Sequence, residues 1–333
     1  MSDNFDKPFM TYDELINLMK LRGIEVADYD FALSALQNHS YYTIVNGYKH
    51  IFNFYDNNIK TRFEDIYTLY TLDSSINNII FKYILLVERG LKSRLSYQVA
   101  KNYGVYTSWK DLDYEHPDLS DTNDYLCMRF YSNSNNTRFN TLKLLKKTFV
   151  EKWQSAPLKH YKKTKNHIPP WILCTSITFG KALMWYGILR NNDKAAICAS
   201  YFKPYDLSID SQKDLLKKSL SLLREYRNLI AHGSRIFPDN SLPHLPKDVI
   251  LSLFTDVLTP IEYNRKIGQC DTLAIILALF LLLVDKYSTQ NFLSELYSTL
   301  LPYKDFAIND KYAFELLNLP VDILLKLSSL SLS

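Results

Sequence analysis

The chain has 333 residues, 47% of them apolar, with 25 Tyr and 18 Phe, enough to build a substantial core in one large or two modest domains. Glycine is scarce, at 8 residues, and neither G-x-G-x-x-G nor G-x4-G-K-S/T occurs, which argues against Gly-rich nucleotide-binding loops. The formal net charge of +4 is small, and Cys127, Cys174, Cys198 and Cys270 form no C-x-x-C pair, so neither a zinc site nor a disulfide framework is expected.

Helical periodicity dominates the chain. In order, the pattern predicts helices over 11–22, 28–38, 62–71, 73–103, 138–154, 171–189, 193–201, 211–236, 247–256, 270–286, 290–299 and 320–329. Thr11 and Glu14 have the S/T-x-x-E spacing of a capping box. The segment from Tyr41 to Phe54 has room for a short strand or a turn around Gly47. Pro169-Pro170 suits a helix start before Trp171. Pro238, Pro243 and Pro246 end the 211–236 helix and open a loop. The apolar run Leu273 to Val284 is short for a bilayer span and ends at Asp285-Lys286, so it reads as a buried helix. The expected fold is all-α, with a small N-terminal helical element at 1–60 and a larger helical domain at 61–333 that carries a charged insertion at about 105–168. A polar N-terminus without a signal-peptide pattern points to the cytoplasm.

Charge is unevenly distributed. Asp111 to Asp124 holds six acids and no Lys or Arg, whereas Arg138 to His167 holds nine Lys or Arg against the single acid Glu151. Trp153, Tyr161 and Trp171 lie in or beside the basic stretch. Cations interleaved with aromatics suit a phosphate backbone with unpaired bases, which makes Lys159, Lys162, Lys163 and Lys165 candidate RNA-binding residues. A solvated helix face is the plainer reading, and the acidic stretch has the charge to fold over the basic one.

The most informative segment is LLREYRNLIAHGSRIF. At about 100° per residue, Arg224, Asn228, His232 and Arg235 share one wedge of the helix, with Arg227 at its edge. Leu222, Tyr226, Leu229, Ile230 and Ile236 form the opposite, apolar face. Asn228 and His232 are i,i+4 neighbours, so the amide has the reach to orient the imidazole. Histidine moves protons near neutral pH, and arginine offers a planar fork of donors to phosphate oxygens. The kit suits chemistry on a phosphodiester. A helix face in which His and Asn satisfy one another is the bland alternative. Upstream, Glu88 and Lys92 are i,i+4 and read locally as an ordinary helix ion pair.

Arg227-Asn228-Leu229-Ile230-Ala231-His232 resembles the signature of the HEPN superfamily, whose ribonucleases carry an arginine and a histidine at this spacing on a late helix. Other segments resemble the AbiD/AbiF-like family of bacterial abortive-infection proteins, in family order. They are Lys7-Pro8-Phe9-Met10-Thr11-Tyr12 with Glu14-Leu15, Tyr41-Tyr42 with Gly47-Tyr48, Glu88 to Lys92 with Tyr103-Gly104, and Pro170-Trp171 with Phe179-Gly180 and Tyr186. Gly233 stands where that family often has a second histidine, and Lys92 where it has arginine.

The resemblance implies a HEPN-type helical bundle and metal-independent cleavage of RNA by the ribose 2′-hydroxyl, without a cofactor. In that scheme His232 acts as general acid or base, Arg227 stabilises the phosphorane charge and Asn228 orients the imidazole. Arg224 and Arg235 join the lysines as RNA contacts, and Glu88 and Lys92 support the cleft. It implies a homodimer too, since such nucleases build one site from two motifs. The rival expectation is a non-catalytic RNA-binding protein that holds a small non-coding RNA and regulates a toxic or defence state.

Overall fold

The computed structural model describes residues 7–49, 61–110, 112–119, 121–133, 137–231, 242–308, 311–317, 319–320 and 322–332. The fold is all-α: among these residues the strands are two-residue pairs. The chain divides into two compact units. Unit 1 comprises Met1–Ile80, Leu229–Pro238 and Gln290–Ser333, and unit 2 comprises Phe81–Asn228 and Asp239–Thr289.

Unit 1 opens with α1 (Tyr12–Leu21), started by the expected capping box: the Thr11 hydroxyl accepts the Glu14 N–H and the Glu14 carboxylate accepts the Thr11 N–H. Strand β1 (Ile24–Glu25) leads to α2 (Tyr29–Asn38), whose first turn is capped by Asp28. β1 pairs in parallel with β2 (Thr61–Arg62), Ile24 opposite Thr61. Between them, Tyr42–Asn46 forms a single π-helical turn rather than a strand, and the part of the Tyr41–Phe54 reading from 50 onward lies outside the described residues. Ile16, Met19, Ala32, Leu36, Ile44, Phe63 and Ile66 form one buried cluster, with Phe31 edge-on to Tyr67. Later in the chain this unit holds α13 (Lys286–Leu300), counted from Gln290 onward, the antiparallel pair β3 (Ala307–Ile308) and β4 (Lys311–Tyr312), α14 (Ala313–Leu316) and α15 (Ile323–Leu332).

The helices expected at 62–71 and 73–103 are one, α3 (Phe63–Tyr103). The reason lies in Asp73. It is buried, and its carboxylate accepts from Tyr48 Oη at 2.5 Å and Asn77 Nδ2 at 3.2 Å. A polar residue satisfied inside the fold does not cap a new helix.

In unit 2 the expected 138–154 helix stops early, as α4 (Arg138–Lys147), and a helix not foreseen follows, α5 (Ala156–Thr164), capped by Ser155 through the Leu158 N–H. The 171–189 run is split into α6 (Pro170–Leu173) and α7 (Phe179–Ile188), because Thr178 caps a fresh start through the Lys181 N–H. Then come α8 (Asn191–Phe202), α9 (Ile209–Ala231), α10 (Lys247–Leu253), the short unforeseen α11 (Pro260–Asn264) and α12 (Thr272–Leu282). Every residue of α12 is buried, as its unbroken apolar run requires. Among the described residues no helix is long and apolar enough to cross a membrane.

Asp271 caps α12, accepting the Ala274 N–H and the Gly268 N–H, each at 3.0 Å. Gly268 sits at φ +73°, and a methyl there would come within 2.6 Å of Leu258. Burial pushes the Asp271 carboxyl up to about 6 from 3.8. A raised carboxyl favours the folded state while protonated, so its stabilisation is present below about pH 4 and is lost as pH rises through about 6. Unfolding by urea across this range should show that slope, and Asp271→Asn should flatten it. An identical slope in the variant would assign it to other groups.

Candidate functional site

Helix α9 is amphipathic as its spacing predicts. Leu215, Leu216, Leu220, Leu222, Leu223 and Tyr226 are buried. On its other side Arg224, Arg227 and Asn228 are half-buried. The Arg227 Nη1 donates to Asn228 Oδ1 at 3.3 Å, and Arg224 Nη2 pairs with Glu225. In both arginines Nε is buried and has no hydrogen-bond partner among the described residues. A buried N–H without an acceptor costs about 1–3 kcal/mol. His232 and Arg235, and the expected helix end at 236, lie outside the described residues.

Glu88 and Lys92 form an interior pair rather than a surface one. Lys92 Nζ lies 2.7 Å from Glu88 Oε1 and donates to the Ile177 carbonyl at 2.6 Å, while the second Glu88 oxygen is buried without a partner among the described residues. Ile177 immediately precedes the Thr178 cap of α7. Gly180, in the first turn of α7, lies against the Arg224 stem, since a methyl built there would sit 3.8 Å from Arg224 Cδ. One short segment, Ile177 to Gly180, therefore brings together the α3 pair and Arg224 of α9.

The basic stretch is less free than its composition suggests. Lys143 pairs with Glu115 of the acidic stretch. Lys146 is 1% exposed, donates to the Pro117 carbonyl at 3.4 Å, and is held below the usual lysine pKa by burial. The acids do fold back onto α4. Lys162, expected as a phosphate contact, is half-buried: its ammonium donates to the Phe149 carbonyl at 2.7 Å and the Gln154 side chain at 3.4 Å, and burial lowers its pKa. Lys159, Lys163 and Lys165 are exposed, with no ion pair among the described residues. They stand on and just beyond α5, whose Ser155 cap bonds to Thr175 and Ser176, a few residues before Ile177.

Two features escaped sequence reasoning. The Glu88 to Lys92 spacing was legible, but the burial of the pair was not. The unmatched Arg224 and Arg227 Nε groups have no sequence signal at all. All four cysteines are buried and none is in a disulfide among the described residues; burial pushes the Cys174 thiol up to about 12, which leaves it unreactive.

Fold and site together define an all-α protein with a polar, arginine-bearing face on a late helix and interior polar groups around one helix start. The chain belongs to the Abi-like protein family, whose model matches residues 34–238, well over half of the sequence and every candidate site residue. That family suggests abortive-infection defence. Comparisons with curated proteins and with solved structures returned no match.

Proposed function

We propose that the protein is a HEPN-type endoribonuclease of abortive-infection defence, cutting RNA without a metal ion. The observation that carries the reading is the pair of half-buried arginines, Arg224 and Arg227, on the polar side of α9, each with its Nε unmatched among the described residues, in the run that continues in sequence to His232. The planar fork of each guanidinium suits the oxygens of a phosphodiester.

In the proposed reaction the ribose 2′-oxygen bonds to the adjacent phosphorus, and the bond from phosphorus to the 5′-oxygen breaks. A base takes the 2′-hydroxyl proton and an acid gives one to the leaving 5′-oxygen, so the products are a cyclic 2′,3′-phosphate and a 5′-hydroxyl. One imidazole cannot hold both protonation states at once. Two chains supply two copies of His232, one neutral and one protonated, which is the physical case for a homodimer. Arg227 stabilises the charge that develops on phosphorus oxygens. Asn228 acts as a positioning residue, holding Arg227 in this structure and standing four residues before His232 in sequence.

The test is to offer the purified protein an RNA and the DNA of the same sequence. The RNA should be cut and the DNA left intact, since DNA lacks the attacking hydroxyl. Equal cleavage of both would overturn the reading, and RNA binding without product in any buffer would favour a non-catalytic RNA-binding protein.

A further inference from the structure

Two of the four tryptophans stand in solvent: Trp153 is 68% exposed and Trp171 is 47% exposed. Single exposed apolar residues need no explanation, but these two lie in or beside a cation-rich stretch of the chain. Lys152 precedes Trp153, Lys159 and Lys163 share one exposed face of α5, and Lys165 follows that helix, all four exposed and none with an ion pair among the described residues. The two tryptophans belong to neighbouring elements. Trp153 lies two residues before Ser155, and Trp171 lies four before Thr175, whose hydroxyl is 2.6 Å from that of Ser155. Chain geometry thus holds the two Cα atoms within about 20 Å of one another.

We infer that this surface is a stacking platform for unpaired bases, so that the RNA is engaged as a single strand, with Trp153 and Trp171 taking base faces and Lys152, Lys159, Lys163 and Lys165 taking phosphates. The inference rests on the RNA reading above and narrows its substrate to a strand whose bases are free. Charge complementarity selects the occupant. Four exposed cations without an ion pair among the described residues favour a polyanion, and two exposed indoles favour one that presents flat aromatic groups, which unpaired RNA does and a duplex, with its bases stacked inside, does not. Lys162 takes no part, since its ammonium is bound to the Phe149 carbonyl.

The experiment measures binding of a labelled, unstructured 2′-O-methyl RNA, which lacks the attacking hydroxyl, and of the same strand in a duplex. Trp153→Ala and Trp171→Ala should each weaken single-strand binding by about fivefold to a hundredfold. Trp→Phe at either place should lose much less, and neither duplex binding nor the salt slope should move. Lys159→Gln, Lys163→Gln and Lys165→Gln should instead lower the log–log salt slope by about 0.7 each. Lys162→Gln should leave the slope unchanged. If the wild type binds RNA and the alanine variants bind it equally well, the platform is overturned while the nuclease reading stands. If the wild type binds no RNA, both fall. If the tryptophan variants change oligomeric state instead of RNA affinity, the surface is a protein interface and the platform is again overturned.

Discussion

Arg227→Ala and His232→Ala should each abolish RNA cleavage while leaving RNA binding largely intact. Loss of the proton-transfer group is expected to cost about 100- to 10,000-fold in rate. Loss of the cation that meets the phosphorane should cost about 100- to 1,000-fold. Binding should survive because Lys159, Lys163 and Lys165 are exposed and, on the platform proposed above, take phosphates independently of α9. Arg227→Lys should not restore activity. A lysine ammonium is a point charge, and it cannot both donate to Asn228 Oδ1 and present a planar fork to a phosphate. Single-turnover cleavage alongside equilibrium binding separates the two quantities. A His232→Ala protein that cuts at the wild-type rate removes the histidine from the mechanism.

The second large effect concerns stability rather than chemistry. Asp193, in the first turn of α8, is buried, and its carboxylate accepts from three side chains at the end of α3: Gln98 Nε2 at 2.9 Å, Asn102 Nδ2 at 2.5 Å and the Tyr103 hydroxyl. Burial beside this carboxylate pushes the Tyr103 phenol well above its ordinary value, so the phenol stays protonated and donates. Asp193→Ala removes the acceptor of three donors, two of them on the buried residues Gln98 and Tyr103, at about 1–3 kcal/mol for each that stays buried and unpaired. The expected loss is about 3 kcal/mol or more, a large share of the stability of an ordinary domain. Asp193→Asn keeps one acceptor oxygen and should lose less. Urea unfolding of the two variants measures the difference. An Asp193→Ala protein as stable as the wild type would show that water replaces the carboxylate freely.

These two cases mark what the sequence does and does not reveal. The capping box at Thr11 and Glu14 was legible because its partners are three residues apart, and α12 was legible because a helix buried on all sides must be apolar on all sides. The Arg224, Arg227 and Asn228 part of the polar face of α9 followed from spacing alone. What escaped reading depends on partners far along the chain. Lys162 looked like a free cation until the fold brought the Phe149 carbonyl to it. The Glu88 and Lys92 pair looked superficial until Ile177, 85 residues beyond Lys92, closed over the ammonium. Helix α5 was hidden because the apolar spacing of 138–154 runs past Lys147, where the chain in fact turns before the Ser155 cap. The Glu14-type carboxylates can be assigned from local pattern, whereas Asp73 and Asp193 gain their meaning only from tyrosines brought from elsewhere.

The central claim is tested most directly by incubating the purified protein with RNA in EDTA and mapping both ends of each product. The account predicts cleavage without added metal, a cyclic 2′,3′-phosphate on one fragment and a 5′-hydroxyl on the other, and neither product from the Arg227→Ala or His232→Ala protein. Cleavage that appears only when a divalent ion is restored, or that leaves 5′-phosphate ends, would contradict it.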